Sequence, residues 1–150
     1  MTISAAAAGL NMIDTTSTGV DTLVVSVAPS AGGYYPTLTG WAVGDKIDFT
    51  AVDNNGGGAD THRADSALGA KVTLGPASSF ANYLDACTNT DVTGAATTIK
   101  WFQFTDGNTY IVVDNSAALT FQDGGDTVIC LTGAVNLATS TTASDVLTLV

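Results

Sequence analysis

The sequence predicts an all-β fold: an antiparallel β-sandwich or β-roll-like domain with one short helix. Three observations predict it. Short runs rich in Val, Ile, Thr, Tyr and Phe recur along the chain, each bounded by Gly, Asp, Asn or Pro. The acidic residues number 14, and every one is Asp; Asp is a poor helix former and a good turn former, so the set belongs to loops and strand ends. Only one stretch has apolar residues at helical spacing. One hundred and fifty residues suit one domain able to bury its own core.

The small, polar residues 1–18 read as an N-terminal arm or linker, with a short helix or an edge segment as alternatives. The β domain covers 19–150. Asp21 to Val27 is its first strand, bounded by Gly19 and Pro29. Ala31 to Gly40 is a loop. Lys46 to Thr50 alternates apolar and polar residues and reads as a short strand. The run Asp53-Asn54-Asn55-Gly56-Gly57-Gly58-Ala59-Asp60 is the strongest loop signal. Another strand is expected at Ala70 to Leu74.

Phe80, Tyr83, Leu84 and Cys87 then follow at i, i+3, i+4 and i+7, with Ser78 or Ser79 as the cap. This is the helix, and it places Cys87 on the buried face. Thr98 to Phe104 and Thr109 to Val113 flank Asp106-Gly107-Asn108, a turn that accepts positive φ, and form the clearest hairpin. Both faces of that hairpin are apolar, so it is expected to be central and covered on each side. Further strands are expected at Leu119 to Phe121, Asp126 to Leu131 and Asp145 to Val150. An internal echo links Gly19 to Val25, Gly107 to Val112 and Gly125 to Ile129: Gly turns the chain, Asp or Asn satisfies the turn, and a strand begins.

Charge limits the function. The net charge is −10, with Lys46, Arg63, Lys71 and Lys100 the only Lys or Arg. Nucleic acid as a partner needs a basic footprint, and anionic lipid would be repelled. Copies of so acidic a chain repel one another, so dense packing calls for cations between them. No run reaches the roughly 20 apolar residues of a membrane helix, so no membrane insertion is expected. No basic residue precedes Lys46, so the Ala5 to Ala8 run is no signal peptide; either the start is trimmed or export takes another route. Cys87 and Cys130 make no disulfide framework and no zinc site. They read as separate thiols, with a single bridge as the alternative.

Catalytic machinery is not expected. His62, the only His, stands beside Arg63 after a Gly-rich loop. Asp65 and Ser66 are near it in sequence, but adjacency is not triad geometry. Gly56 to Gly58 lacks the Gly-Lys-Ser/Thr of a phosphate loop. A small secreted hydrolase built on an Asp pair is the least favoured reading. Calcium is the candidate cofactor, because Asp is a short, hard oxygen ligand suited to Ca²⁺ in turns. Asp45 and Asp48 share one strand entrance; Asp53 and Asp60 share one loop; Asp114 ends the hairpin; Asp123 and Asp126 bracket Gly124-Gly125.

Gly44-Asp45-Lys46-Ile47-Asp48-Phe49 resembles the segment that follows the nonapeptide repeats of RTX proteins. Trp101 to Asp114 and Phe121 to Gly133 resemble the C-terminal region of RTX-type, type I-secreted bacterial surface proteins of the surface-layer kind. The acidic-then-apolar Asp145 to Val150 resembles the uncleaved C-terminal signal of type I secretion substrates. One departure stands out: no tandem Gly-Gly-x-Gly-x-Asp repeat is present. The resemblance implies a role as ligand or turn former for Asp21, Asp45, Asp48, Asp114, Asp123 and Asp126. It also implies an outward Cys130, open to cross-linking. The function it implies is extracellular or cell-surface: a self-assembling surface-layer or filament subunit, or its C-terminal secretion and assembly module, stabilised by Ca²⁺ and partnered by copies of itself. The alternative is an adhesin-type module for cell-surface glycan or protein, using Tyr34, Tyr35 and Trp41, although those rings are better suited to plugging the end of the sandwich.

Overall fold

The computed structural model describes residues 2–5, 12–14, 18–25, 35–50, 68–88, 99–116 and 118–150. Ten strands and one helix lie among them. The strands are β1 (Thr2–Ala5), β2 (Met12–Asp14), β3 (Thr22–Val25), β4 (Thr37–Thr39), β5 (Lys46–Asp48), β6 (Lys100–Gln103), β7 (Thr109–Val113), β8 (Thr127–Leu131), β9 (Thr141–Ala143) and β10 (Val146–Thr148). The helix, α1, is Phe80–Thr88. They form two five-stranded sheets, ordered β1-β3-β5-β10-β9 and β2-β4-β8-β7-β6.

The all-β class with a single helix stands, and the sheets are mixed rather than antiparallel throughout. The first five strands alternate between the sheets, so β1, β3 and β5 run parallel in one, and β2 and β4 run parallel to β8 in the other. This is a two-sheet roll. Antiparallel pairing enters with the later strands: β6 with β7, β7 with β8, and β10 with both β5 and β9.

The core lies between the sheets. Leu23, Val25, Ile47 and Leu147 from one sheet meet Leu38, Trp101, Ile111, Val113, Ile129 and Leu131 from the other. Alternation explains this: β3 buries Leu23 and Val25 and leaves Thr22 and Val24 half-buried. β7 and β8 are buried at every position, because their second face is covered too. Phe102, Tyr110, Val112, Val128 and Cys130 lie there beneath Leu84 and Cys87 of α1. The hairpin is therefore central, as its apolar faces predict.

The helix starts where its cap predicts. Ser79 Oγ accepts from the Asn82 amide at 3.3 Å, and Asn82 Oδ1 accepts from the Ser79 amide at 2.9 Å, a reciprocal cap. At its other end Lys100 Nζ donates to the Ala86 carbonyl at 3.2 Å, a cation at the negative helix terminus.

Several expectations differ from the structure. Ala70 to Leu74 is not a strand: it touches β6 by one bridge, Lys71 opposite Trp101, and so covers part of that sheet edge. Leu119 to Phe121 is a bend, with Leu119 62% exposed, because apolar content there lacks a paired neighbour. The loop expected over 31–40 contains β4. Cys130 is 5% exposed rather than outward, since α1 roofs the outer face of β8. The Ser144–Asp145 turn between β9 and β10 holds both residues at positive φ, 48° and 64°, which gives the two-residue hairpin its twist.

Candidate functional site

Four of the eight predicted ligand residues are buried: Asp21, Asp45, Asp114 and Asp126. They fall into two pairs: Asp21 and Asp45 stand at the entrances of β3 and β5, and Asp114 at the exit of β7 beside Asp126 at the entrance of β8. In the first, Asp45 Oδ1 accepts from the Asp21 amide at 2.9 Å and Oδ2 accepts from the Ala42 amide at 2.7 Å. The same residue's carbonyl accepts from the Leu149 amide, and the Lys46 amide donates to the Asp21 carbonyl. One aspartate thus ties the entrances of β3 and β5 to the end of β10. Gly44 precedes it at φ 96°, a conformation that Gly adopts at little cost and residues with a Cβ rarely adopt.

The second pair repeats the device. Asp126 Oδ1 accepts from the Asn115 amide at 2.9 Å and Oδ2 from the Gln122 amide at 2.6 Å. Asn115 Nδ2 donates to Thr127 Oγ1 at 3.0 Å. Asp114 Oδ1 accepts from the Ser116 amide at 3.3 Å. Each clip has one oxygen on its own turn and one on the neighbouring strand's entrance or exit. Of the three segments of the Gly-to-strand echo, Gly125 to Ile129 carries this clip on Asp126, while in Gly19 to Val25 it is the Asp21 amide that enters the clip of Asp45. The third segment uses Asn: Asn108 Oδ1 accepts from the Gly133 amide at 3.1 Å.

A carboxylate this deep is costly unless hydrogen bonds compensate it. The clip at Asp45 and at Asp126 supplies two backbone donors each. Beside Asp126, Asn115 Oδ1 is buried and accepts no hydrogen bond. An oxygen-rich turn therefore holds one acceptor with no hydrogen drawn to it. Amide-bonded carboxylate oxygens keep further lone pairs, so clipping and cation binding are chemically compatible.

The remaining predicted ligands are elsewhere. Asp48 is half-buried and accepts from the Thr50 amide at 3.0 Å, an Asx turn. Asp123 is exposed, and its charge adds to burial in pushing the Tyr35 hydroxyl pKa upward. Asp53 and Asp60 lie outside the described residues, as do His62, Arg63, Asp65 and Ser66. Among the described residues, no group of three or more His, Cys, Asp or Glu is placed to hold a metal ion by side chains of those types alone.

Two aspartates outside the set of candidate ligands also hold backbone amides. Asp85 on α1 accepts from the Phe121 amide at 3.1 Å and fastens the 118–123 loop to the helix. Asp106 accepts from Tyr110 Oη at 2.6 Å and from the Asn108 amide at 3.0 Å. Burial opposes ionisation there, but these hydrogen bonds outweigh it and hold the Asp106 carboxyl below its ordinary pKa. Nothing distinguishes either residue from an ordinary turn or helix aspartate in sequence.

The aromatic candidates do not form one platform. Trp41 packs on the inter-sheet core and donates Nε1 to the Thr132 carbonyl at 3.4 Å. Tyr35 packs on the outer cluster, 5.7 Å from Phe80 between ring centroids. Tyr34 lies outside the described residues. A groove of about 460 Å³ beside Trp101 is lined by Leu68, Gly69, Ala70, Lys71, Asn136 and Ala138. It holds one cation and no carboxylate, so no acid–base pair converges there. No helix among the described residues is long and apolar enough to cross a membrane. Comparison with known proteins finds no family model that matches the chain and no matching curated protein.

Proposed function

We propose that this chain is an extracellular structural protein, a calcium-stabilised subunit of a surface layer or filament, or the C-terminal secretion and assembly module of such a subunit. The observation that carries this reading is the pair of buried aspartate clips on a two-sheet roll. Asp21 with Asp45, and Asp114 with Asp126, place four of the 14 aspartates of a chain at −10 at buried strand ends. Charge gathered this way repels itself, and a hard divalent cation with oxygen preference relieves it.

The candidate ligands at the second clip are Asp114, Asn115 and Asp126, with the buried Asn115 Oδ1 as the acceptor still available. Asp21 and Asp45 are the candidates at the first. Calcium is abundant outside cells and scarce inside, so the fold tightens after export. The RTX-like segments favour type I export. Glycan binding is less well supported, because Trp41 and Tyr35 face different cores.

Electron microscopy of the purified chain tests the reading. Ordered sheets or filaments are expected with millimolar CaCl₂ and dispersed particles with EGTA. Dispersed monomers in both conditions contradict it.

A further inference from the structure

Among the described residues, the large apolar side chains that stand exposed are Val20, Val43, Leu119 and Val150. Val20, Val43 and Val150 share one end of the roll. β3 and β5 enter there, β10 leaves there antiparallel to β5, and the 40–45 connection brings in the end of β4, which runs parallel to β8. The Gly44 amide donates to the Leu149 carbonyl at 2.8 Å, which sets Val43 close to Val150. A Cβ placed on Gly44 would lie 3.4 Å from Val20 Cγ2. Val43 is 73% exposed, Val20 57% and Val150 51%. Exposed Ala42 and half-buried Trp41 extend the patch toward the second sheet, where Trp41 Nε1 donates to the Thr132 carbonyl. A contiguous exposed apolar patch marks an interaction surface, whereas a single exposed apolar side chain does not.

Charge differs between the two ends. Among the described residues, Asp48, Asp85, Asp114, Asp123, Asp126 and Asp145 lie toward the opposite end, with Lys100. The apolar end holds Asp14, Asp21, Asp45 and Asp106, with Lys46. Asp21 and Asp45 are buried, whereas Lys46 and Asp106 are exposed. Lys46 opens β5 of one sheet, Asp106 stands on the β6–β7 turn of the other, and Val43 lies in the connection between the sheets.

We propose that this end is a self-docking face, on which a second copy sits about a two-fold axis near Val43. The partner is a second copy because the charges of the face complement themselves. The axis carries the Lys46 side of one copy toward the Asp106 side of the other, and the reverse, as an isologous contact requires. It also leaves the six aspartates of the opposite ends far apart, so two chains of −10 repel least in this arrangement. Val43 takes the centre, and Trp41 supplies the aromatic anchor common in such contacts. The inference deepens the assembly reading, on which the pair's role as a building block rests.

Sedimentation velocity in EGTA tests the face without calcium. The wild-type chain is expected to sediment as a dimer. Val43→Asp should raise the dimer dissociation constant at least about tenfold, because it buries an unpaired charge at the axis. Leu119→Asp, at the opposite end, should leave it unchanged. Val43→Cys should oxidise to a 43–43 disulfide dimer faster than Leu119→Cys cross-links, and it adds no charge; Cys87 and Cys130 are buried. Equal losses at 43 and 119, or equal cross-linking at both, overturn the face. Monomers in EGTA that still assemble in calcium overturn the face alone. Dimers in EGTA that never grow in calcium leave the face standing and overturn the surface-layer reading. Monomers in both conditions overturn both.

Discussion

Asp126→Ala lowers the free energy of unfolding by about 3–5 kcal/mol, because two backbone amides lose a buried, charged acceptor worth roughly 1.5–3 kcal/mol each. The amides are those of Asn115 and Gln122. Asp45→Ala should cost the same for the same reason, since the Asp21 and Ala42 amides depend on it. Urea titration followed by tryptophan fluorescence measures both. Exposed Asp123 is the control, with an expected change within about 0.5 kcal/mol for a surface site. Losses at Asp45 and Asp126 no larger than at Asp123 would show that the clips hold nothing. If Asp126 is also a cation ligand, its variant loses in addition the calcium-dependent part of the stability.

Phe102→Ala has the second large effect, about 3–5 kcal/mol, the usual range for emptying a buried aromatic site. Phe102 is 0% exposed. It stacks on Tyr83 at 4.9 Å and on Tyr110 at 5.3 Å, and Phe80 meets its edge at 5.5 Å. Two of those three rings belong to α1, so the substitution loosens the helix from the sheet. Cys87 reports this directly. Burial pushes its thiol up to about 12, against a smaller lowering by Lys100. The wild-type thiol is therefore inert to iodoacetamide at pH 8, and labelling should accelerate in the variant. Phe104→Ala, at a partly exposed ring of the same cluster, should cost less. Equal losses at 102 and 104 would mean that the cluster does not dock the helix.

Local chemistry made much of this architecture legible. The Phe80, Tyr83, Leu84, Cys87 spacing placed α1, and Asp-Gly-Asn placed the hairpin, because each depends on neighbours in sequence. The two apolar faces of 100–113 foretold a strand pair covered on both sides. What stayed hidden depends on distant partners. β1, β2 and β4 have only three or four residues each, and their strand character comes from parallel pairing with segments far along the chain. Leu119 and Phe121 looked strand-like by composition yet found no ladder.

The site divides in the same way. Gly-Asp before an apolar run marked Asp45 and Asp126 as turn formers. It could not tell that both oxygens of each would take backbone amides, since the Asp21 and Asn115 donors come from other strands. The exposed Asp123 and the half-buried Asp48 were ligand candidates by the same residue type and nearness to a turn, and only the tertiary fold separates them from the buried ones. The tie from Asp85 to the Phe121 amide crosses between helix and loop and leaves no trace in spacing.

Calcium is where the account is most exposed. Thermal unfolding of the wild-type chain is measured with millimolar CaCl₂, with MgCl₂ and with EGTA. The account predicts a higher Tm in calcium than in either alternative, equivalent to about 1–3 kcal/mol for a site well above its dissociation constant. Magnesium, smaller and stricter in geometry, should not substitute. Three superimposable curves would leave the aspartate pairs as hydrogen-bonded clips alone and remove the cation from the protein's stability.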